Sequence, residues 1–302
     1  MSKVISFAVG EGDMFCINHN SDSFTTIDCC LDYDDESRAA KKHVLDEITK
    51  ESKNKGITRF ISTHPDEDHI SGLDEYDEKF DIQNFYCVKN EVTKDGEESN
   101  GFKTYKSLRD GDKCFNLHKG CTRKWLNEAD EDRGSAGIRC LWPITSNSQY
   151  KTALENAKNG DGLNNISPVI EYDVNGFSFL WMGDMETAMQ KEFEKTLSDH
   201  KVTIVFAPHH GRKSGHIPIE LMQKLSPRLV VVGEAPADEL DYYKGQNTLT
   251  QNSAGDILFE TNGDFLDIFV GNNNYTKNDG MVINENHLSH EGMKYLGSIK
   301  KQ

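Results

Sequence analysis

The segment at positions 63–72, THPDEDHISG, constrains the fold of this chain more than any other. It directly follows the apolar, strand-like run at 57–61 and contains two histidines and two evenly spaced aspartates. An extended strand would send alternate side chains to opposite faces, but a tight turn at a strand end lets them converge on one or two cations. The four predicted metal ligands are His64, Asp66, Asp68 and His69.

The ligand types narrow the choice of metal. Imidazole combined with carboxylate favours zinc or manganese over calcium, which prefers oxygen ligands throughout. The alternative interpretation of the segment is a solvated acidic turn with two chance histidines.

Two later strand-like runs also end in candidate ligands. The run at 177–181 leads to Asp184, and the run at 202–206 leads to His209 and His210. Side chains from the ends of different strands form a pocket between loops on a rigid scaffold, where catalytic sites tend to lie. Alone, Asp184 or His209 would indicate a structural role, but together with the 63–72 segment they predict one functional site.

The charge of the chain limits its partners. The 302 residues carry a formal net charge of -16, which argues against a broad basic surface for nucleic acid. An anionic substrate must therefore be held locally, and bound dications supply such local charge. The acidity weakens a processive nuclease interpretation more than one with a small phosphodiester substrate.

The length fits one large domain or two ordinary ones, and the sequence shows no clear division. We therefore expect a single domain over 1–302, with a surface insertion at about 117–137. The polar segment at about 272–302 is expected to be a peripheral tail or a last helix.

The start shows no cationic leader, and no apolar run is long enough to cross a membrane, so we expect a cytoplasmic protein without membrane contact.

Hydrophobic periodicity predicts strands and helices in mixed order. Predicted helices cover 36–53, a stretch around 105–108, 186–197 and 218–225, and predicted strands cover 4–9, 15–17, 24–27, 57–61, 85–88, 138–142, 168–173, 177–181, 202–206, 229–232, 257–260 and 265–270. Seven cysteines without metal-knuckle spacing are expected to be mostly reduced and packed.

The ordered set of motifs resembles the metallo-beta-lactamase fold superfamily. The motifs that carry this resemblance are Thr63-His64-x-Asp66-x-Asp68-His69-x-x-Gly72, Gly183-Asp184 and His209-His210-Gly211. Within the superfamily, the pattern is similar to the hydrolase domain of the ComEC/Rec2 competence proteins. That closer similarity rests on short motifs at 9–13, 26–28, 141–143, 164–169 and 253–257, so that it spans roughly residues 4 to 270.

The resemblance implies a four-layer αββα sandwich with one or two divalent metal ions at one edge of the sheets. By matching position, His64 and Asp66 belong to the first metal, and Asp68 and His69 to the second. Asp184 is implied as the bridge between the metals. One histidine of the later pair completes the second site, and we prefer His210 because the superfamily's late ligand usually directly precedes the glycine.

The chain departs from the superfamily's common form at the first metal. Asp66 stands where a histidine is usual, and the region between Leu141 and Asp184 lacks the usual third histidine. A first site richer in oxygen favours manganese over zinc there, and occupancy by two metals stays open. Asn165 or Ser167, in the region of the missing histidine, positions substrate or a metal-bound water, or else forms a simple strand-entry turn.

The remaining site residues receive roles from their chemistry. Asp68 orients the attacking water as well as binding metal, Asp184 bridges the metals, and His209 contacts substrate or donates a proton. Arg212 and Lys213 hold a phosphate, or are solvated loop residues. Asp13 is either a partner of the ligand histidines or a plain turn aspartate.

The expected function is a metal-dependent phosphodiesterase or nuclease acting on DNA, RNA or nucleotides through a metal-activated water. One alternative is a hydrolase of lactone, thioester or beta-lactam bonds, as in other branches of the superfamily. Another is a low-turnover metal-binding component of a multi-protein assembly, for example in defence. The expected partners are a nucleic acid or nucleotide substrate and, beyond it, a second copy of the chain or another protein.

Overall fold

The computed structural model describes residues 1–31 and 38–301. The strands of the first half are β1 (Lys3–Ser6), β2 (Phe15–Asn18), β3 (Ser23–Ile27), β4 (Cys29–Cys30), β5 (Ile57–Ile61), β6 (Phe85–Cys87), β7 (Cys114–Asn116) and β8 (Ile138–Trp142). Those of the second half are β9 (Val169–Val174), β10 (Phe177–Trp181), β11 (Ile204–Phe206), β12 (Leu229–Val232), β13 (Thr248–Thr250), β14 (Ile257–Asn262), β15 (Phe265–Val270) and β16 (Lys294–Lys300). The α-helices are α1 (Arg38–Glu51), α2 (Glu67–Ile70), α3 (Leu73–Phe80), α4 (Asn100–Asp110), α5 (Ser148–Lys158), α6 (Thr187–Glu194), α7 (Ile219–Leu225) and α8 (Gln251–Ala254).

All of the strands listed except β4 form two sheets, and β4 makes isolated bridges to Ile70 and Ser71. The nine-stranded sheet has the order β16-β15-β14-β1-β2-β3-β5-β6-β7, and the six-stranded sheet has the order β13-β12-β11-β10-β9-β8. Strand β3 runs parallel to β5, and β10 runs parallel to β11. Because the carboxyl ends of parallel strands lie at the same edge of a sheet, each sheet gathers the loops after its parallel strands at one edge.

Aromatic side chains pack the two sheets against each other. Phe15 of β2 contacts Phe206 and Trp181 of the six-stranded sheet, with ring centroids 4.8 and 5.9 Å away. Phe179 of β10 contacts Phe259 of β14 at 5.6 Å. Edge-to-face pairs of this kind add roughly 0.5–1.5 kcal/mol to the stabilisation from burial. The core between the sheets therefore holds the two strand edges in a fixed relation.

Capping residues explain where two of the helices begin. Ser99 precedes α4 and its side chain accepts a hydrogen bond from the backbone N–H of Phe102. Asn147 precedes α5 and accepts from the N–H of Tyr150 in the same way. Such caps satisfy N–H groups that have no partner inside the helix and contribute roughly 1 kcal/mol.

Several elements differ from those predicted by periodicity. Helices α3 and α5 were not predicted, because each is short and carries many polar residues. The alternative of a last helix is wrong, since Lys294–Lys300 forms strand β16, which pairs with β15. The predicted helix at 36–53 corresponds to Arg38–Glu51, and its first two residues lie outside the described part of the chain.

Two simpler expectations have a clear outcome. Five of the seven cysteines are buried, so the prediction that they are mostly packed is confirmed, and their reduced state stays a prediction. None of the helices described has the length and apolar character needed to cross a membrane.

Candidate metal centre

Loops at the same edge of the two sheets bring the candidate ligands together. Strand β5 is followed by His64 and His69, β10 by Asp184, and β11 by His210. One ligand atom from each of Asp13, His69, Asp184 and His210 lies within 4.8 Å of the others. The cluster therefore joins residues separated by up to 197 positions in the chain.

A carboxylate lies at each ring nitrogen of His69. Its Nδ1 lies 2.8 Å from Asp28 Oδ2, and its Nε2 lies 3.1 Å from Asp184 Oδ1. Asp28 also accepts hydrogen bonds from the backbone N–H and the hydroxyl of Thr63, at 2.7 and 2.6 Å. A carboxylate behind the outer nitrogen of a metal-binding imidazole fixes its tautomer and orientation.

His210 is arranged in the same way, with Asp13 behind its outer nitrogen and Asp68 and Asp184 at its inner nitrogen. Its Nδ1 lies 3.2 Å from Asp13 Oδ1, while its Nε2 lies 3.1 Å from Asp68 Oδ2 and 3.3 Å from Asp184 Oδ2. Asp184 thus lies between the inner nitrogens of His69 and His210. Asp13 supports His210 in the way that Asp28 supports His69, which favours the first of the two interpretations of Asp13.

Three buried ligand atoms in this cluster or beside it have no hydrogen-bond partner among the described residues. They are His64 Nε2, His69 Nε2 and Asp184 Oδ1. The 3.1 Å approach of the last two is therefore a contact of unlike charges without hydrogen-bond alignment. A buried polar atom left unpaired costs roughly 1–3 kcal/mol. Three such atoms together would lower the free energy of unfolding by a large part of what a domain usually has. Divalent cations, one at His69 and Asp184 and one at His64, would satisfy these atoms, so the residues fit a metal centre.

His64 and Asp66 lie beside this cluster. His64 is buried, and its ring centroid is 4.1 Å from that of His69. Its Nδ1 lies 3.0 Å from Thr63 Oγ1, and its Nε2 lies 3.5 Å from Asp66 Oδ2. The two predicted ligands of a first metal therefore neighbour each other, with Asp66 partly exposed to solvent.

In this cluster the pKa values of Asp184 and Asp68 are lowered and those of the histidines His69 and His210 are raised. Burial opposes ionisation of Asp184, but the charges and hydrogen bonds of His210 and His69 outweigh it and hold its pKa well below the usual range. Burial also opposes charge on His69, yet Asp184 and Asp28 raise its pKa well above its ordinary value. Burial also opposes ionisation of Asp68, but the hydrogen bond from His210 and the charges of His69 and His210 together outweigh it and lower the pKa to about 2.

His209 lies at the rim of the cluster. Its Nδ1 is 2.8 Å from Ser214 Oγ, its Nε2 is 3.6 Å from Asp184 Oδ2, and its side chain is 20% exposed. Burial lowers its pKa from the ordinary value. His209 is thus less buried than His210, and it is His210 that the structure brings into contact with both Asp68 and Asp184.

The backbone around the late ligands is strained. His209 and His210 both have a φ of 55°, in the left-handed region that non-glycine residues rarely adopt. Such residues cost roughly 1–3 kcal/mol each and persist where the surroundings fix them, often at functional sites. Gly183, with a φ of 50°, is required for a second reason, because a Cβ there would lie 2.8 Å from Thr63 Cβ and from Ser167 Oγ.

The predicted substrate-binding residues have different surroundings. Ser167 is buried, with its hydroxyl 3.4 Å from His64 Nδ1. The amide of Asn165 donates to Glu186 at 2.8 Å, just before helix α6. Arg212 forms ion pairs with Glu11, at 2.6 Å, and with Glu239. Asn165 and Arg212 thus already have local partners, and the substrate roles of all these residues stay predictions.

One residue at this edge was not predicted. Glu234 follows β12 and its Oε2 accepts a hydrogen bond from the backbone N–H of Gly10 at 2.7 Å. This bond ties the turn that carries Asp13 to the six-stranded sheet. A carboxylate directly after a buried strand, Leu229–Val232, was the only signal in the sequence that could have indicated it.

One protein-family model matches part of the chain. The family model described as the Metallo-beta-lactamase superfamily matches residues 31–158. This is less than half of the chain, and it includes the 63–72 segment but ends before Asp184 and His210. No curated protein sequence matches the chain.

Among solved structures, the chain is similar to the crystal structure of CmlA, a diiron beta-hydroxylase from Streptomyces venezuelae, at 12% sequence identity and a TM-score of 0.46. The alignment covers 82% of this chain and 52% of that one, so the chain spans about half the length of that protein.

The family match and the architecture agree. Two sheets packed face to face with eight described α-helices are consistent with the αββα sandwich of the metallo-beta-lactamase fold, and the predicted fold class is confirmed. The match and the histidine–aspartate cluster support a metal-dependent, hydrolase-type function. The closer similarity to the ComEC/Rec2 hydrolase domain stays a prediction.

Proposed function

We propose that this protein is a metal-dependent hydrolase of phosphodiester bonds in nucleic acids or nucleotides. The observation that carries the proposal is the set of three buried ligand atoms, on His64, His69 and Asp184, that no described residue pairs by a hydrogen bond. They come from loops after two strands in different sheets, and only an external group can satisfy them together.

His69, Asp184 and His210 would hold a divalent cation, with Asp68 at the same side. His64 and Asp66 would hold a second one, and the oxygen of Asp66 favours manganese over zinc there. When bound, such cations lower the pKa of a coordinated water and offset the negative charge that develops on a phosphoryl or acyl oxygen.

The protein's own groups supply orientation and proton transfer. Asp28 and Asp13 fix the rings of His69 and His210 through their outer nitrogens. Asp68 is ionised and its side chain is 39% exposed, so it can accept a hydrogen bond from an attacking water. When Ser214 donates to Nδ1 of His209, the neutral ring carries its proton on Nε2, from which it can donate a hydrogen bond to a substrate oxygen.

A second candidate function is hydrolysis of lactone, thioester or beta-lactam bonds. The observation that favours it is the pairing of Arg212 with Glu11 and Glu239, which neutralises the guanidinium predicted to hold a phosphate. An uncharged acyl substrate needs no such cation, and the same metal chemistry serves it.

The test compares substrates on one preparation. Protein loaded with manganese or zinc is assayed on single-stranded DNA, RNA, cyclic nucleotides, a lactone, a thioester and a beta-lactam. We expect metal-dependent hydrolysis of a phosphodiester that is lost in His69→Ala and kept in His118→Ala, since His118 is exposed and distant in sequence from every ligand. Turnover of acyl substrates alone would support the second candidate, and no metal-dependent turnover of any of them would refute both.

A further inference from the structure

A cavity of 870 Å³ lies directly beside the loop that carries His209 and His210. Its walls come from helix α7 and from the segment at 237–246, and its first lining residue, Lys213, is three positions after His210. The volume is in the range of sites that bind small organic groups.

Backbone contacts connect this cavity to the metal cluster. The N–H of Asp241 donates to the carbonyl of Gly211 at 2.7 Å, and the N–H of Lys213 donates to the carbonyl of Glu239 at 2.9 Å. A Cβ built on Gly211 would lie 3.5 Å from Leu240 Cδ2. The cavity wall therefore packs against Gly211, the residue that directly follows the proposed ligand His210.

Aromatic and apolar groups dominate the exposed lining. Tyr242 is 43% exposed and Ile219 is 67% exposed, which is high for such large side chains. The ring of Tyr243 stacks on His216, with centroids 5.7 Å apart and planes 11° from parallel. The hydroxyl of Tyr243 is buried and has no hydrogen-bond partner in the described part of the chain. The cavity thus offers the exposed ring of Tyr242 as a flat aromatic face, while Tyr243 is buried.

The rim carries cations. Lys213 and Lys244 line the cavity, and neither ammonium forms an ion pair with any residue that the structure describes. Lys213 donates instead to the backbone carbonyl of Asp238. Of the acids in the lining, Asp241 pairs with His216, which leaves Asp238 as the unpaired carboxylate. In a chain of net charge -16, two ammonium groups without ion pairs among the described residues, beside the exposed Tyr242 ring, are a local feature suited to a phosphate next to a base.

We propose that this cavity binds one nucleotide of a single-stranded nucleic acid, with its base stacked on Tyr242 and its phosphate at Lys213 and Lys244. The inference rests on the proposed function, because the cavity lies beside the metal cluster and the bound nucleotide must be joined to the scissile phosphate by the strand. Bases are free to stack on aromatic side chains only when the nucleic acid is single-stranded.

The test measures binding of a short, fluorescein-labelled phosphorothioate oligothymidylate, which resists hydrolysis, to manganese-loaded protein. We expect Tyr242→Ala to weaken binding by about 5- to 150-fold, the range for loss of one stacked base. Tyr242→Phe keeps the ring and should bind within about 2-fold of wild type, since stacking does not need the hydroxyl. Unfolding curves and metal content show whether each variant is intact.

A second variant tests the phosphate contact independently. Lys244→Ala should reduce the slope of log K against log salt concentration by about 0.7, the value for one phosphate contact on a single strand. Lys300→Ala, an exposed lysine on β16, should leave the slope unchanged. Unchanged binding in Tyr242→Ala, or no binding by wild type, overturns the proposal, as does tighter binding of a free mononucleotide or an acyl ester than of the oligonucleotide.

The outcomes also separate this inference from the proposed function. Metal-dependent hydrolysis of phosphodiesters with unaltered binding in Tyr242→Ala refutes only the stacking site. Binding that depends on Tyr242 and Lys244 without any hydrolysis supports the site and refutes the enzyme.

Discussion

Two buried carboxylates in this molecule have opposite surroundings. Asp267, in β15, is fully buried, and both of its oxygens accept hydrogen bonds from Asn284, Ser298 and Asn262 at 2.5 to 3.1 Å. Asp184, after β10, is 2% exposed, faces imidazoles and leaves one oxygen without a hydrogen bond among the described residues. Neutral donors that satisfy every lone pair indicate a structural role, whereas an unsatisfied cluster of acids and bases indicates a place for a ligand.

The positions of the two carboxylates fit this difference. Asp267 lies within a strand and opposite Ser298 of β16, where it joins the last strand to the sheet. Asp184 lies in a loop at the sheet edge, where functional residues are held by a rigid scaffold without being part of it. The first should therefore govern stability, and the second should govern metal binding and activity.

The largest expected effect is that of Asp184→Asn. The change keeps the shape but removes the charge between His69 and His210, so we expect loss of bound metal and, with it, loss of metal-dependent hydrolysis. The metal-free fold should tolerate it, because the two imidazoles can release their protons. Metal content by mass spectrometry and thermal unfolding in chelator measure both, and full metal content in the variant would contradict the account.

Asp28→Asn should have the next largest effect. It leaves the inner ligands in place but weakens the hold on His69 Nδ1, and loss of such a supporting carboxylate lowers metal affinity by about 10- to 100-fold. Competition with a fluorescent chelator measures the affinity. The matched control is Glu171→Gln, because Glu171 pairs with His200 at 2.8 Å away from the cluster. Equal affinities in the two variants would show that Asp28 does not act through His69.

Asp267→Asn should show the opposite profile to Asp184→Asn. Its new amide would face the amide donors of Asn262 and Asn284, so we expect a loss of about 1–3 kcal/mol in the free energy of unfolding. Metal affinity should be unchanged. Denaturant titration and the same chelator competition test this, and weakened metal binding here would remove the distinction between the two carboxylates.

The smallest expected effect is a change with pH in how much bound metal stabilises the fold. In the metal-free protein His69 and His210 have raised pKa values, so their stabilisation is complete below the unfolded value of about 6.5 and is lost as pH rises through the folded values. Metal requires deprotonated imidazoles, so the stabilisation that metal adds should grow as pH rises. The difference in Tm between manganese-loaded and chelator-treated protein, followed from acidic to alkaline pH, should increase. A constant difference would contradict the assignment of these histidines.

The residues that the sequence revealed are those that follow buried strands. The apolar runs before His64, Asp184 and His209 match β5, β10 and β11, and this pattern was enough to predict both the strands and a shared site. The pairing of Asp28 with His69 and the bond from Gly10 to Glu234 could not be derived, because they join residues 41 and 224 positions apart.

Other elements were missed for local reasons. Strand β16 contains Gly297 and follows a long polar stretch, so that its alternation is weak and only pairing with β15 makes it a strand. Helix α5 had a usable signal in its cap, Asn147, but not in its charged surface. The basic pair at 212–213 suggested phosphate binding, yet the partners of Arg212 come from loops that the sequence alone does not bring near.

The most direct test of the account is a crystal structure of the protein grown with manganese or zinc, with the metal located by anomalous scattering. The account predicts a peak at coordination distance, about 2.0–2.2 Å, from His69 Nε2, His210 Nε2 and an oxygen of Asp184. A fully formed cluster without such a peak, or a metal bound elsewhere with these atoms left unpaired, would contradict it.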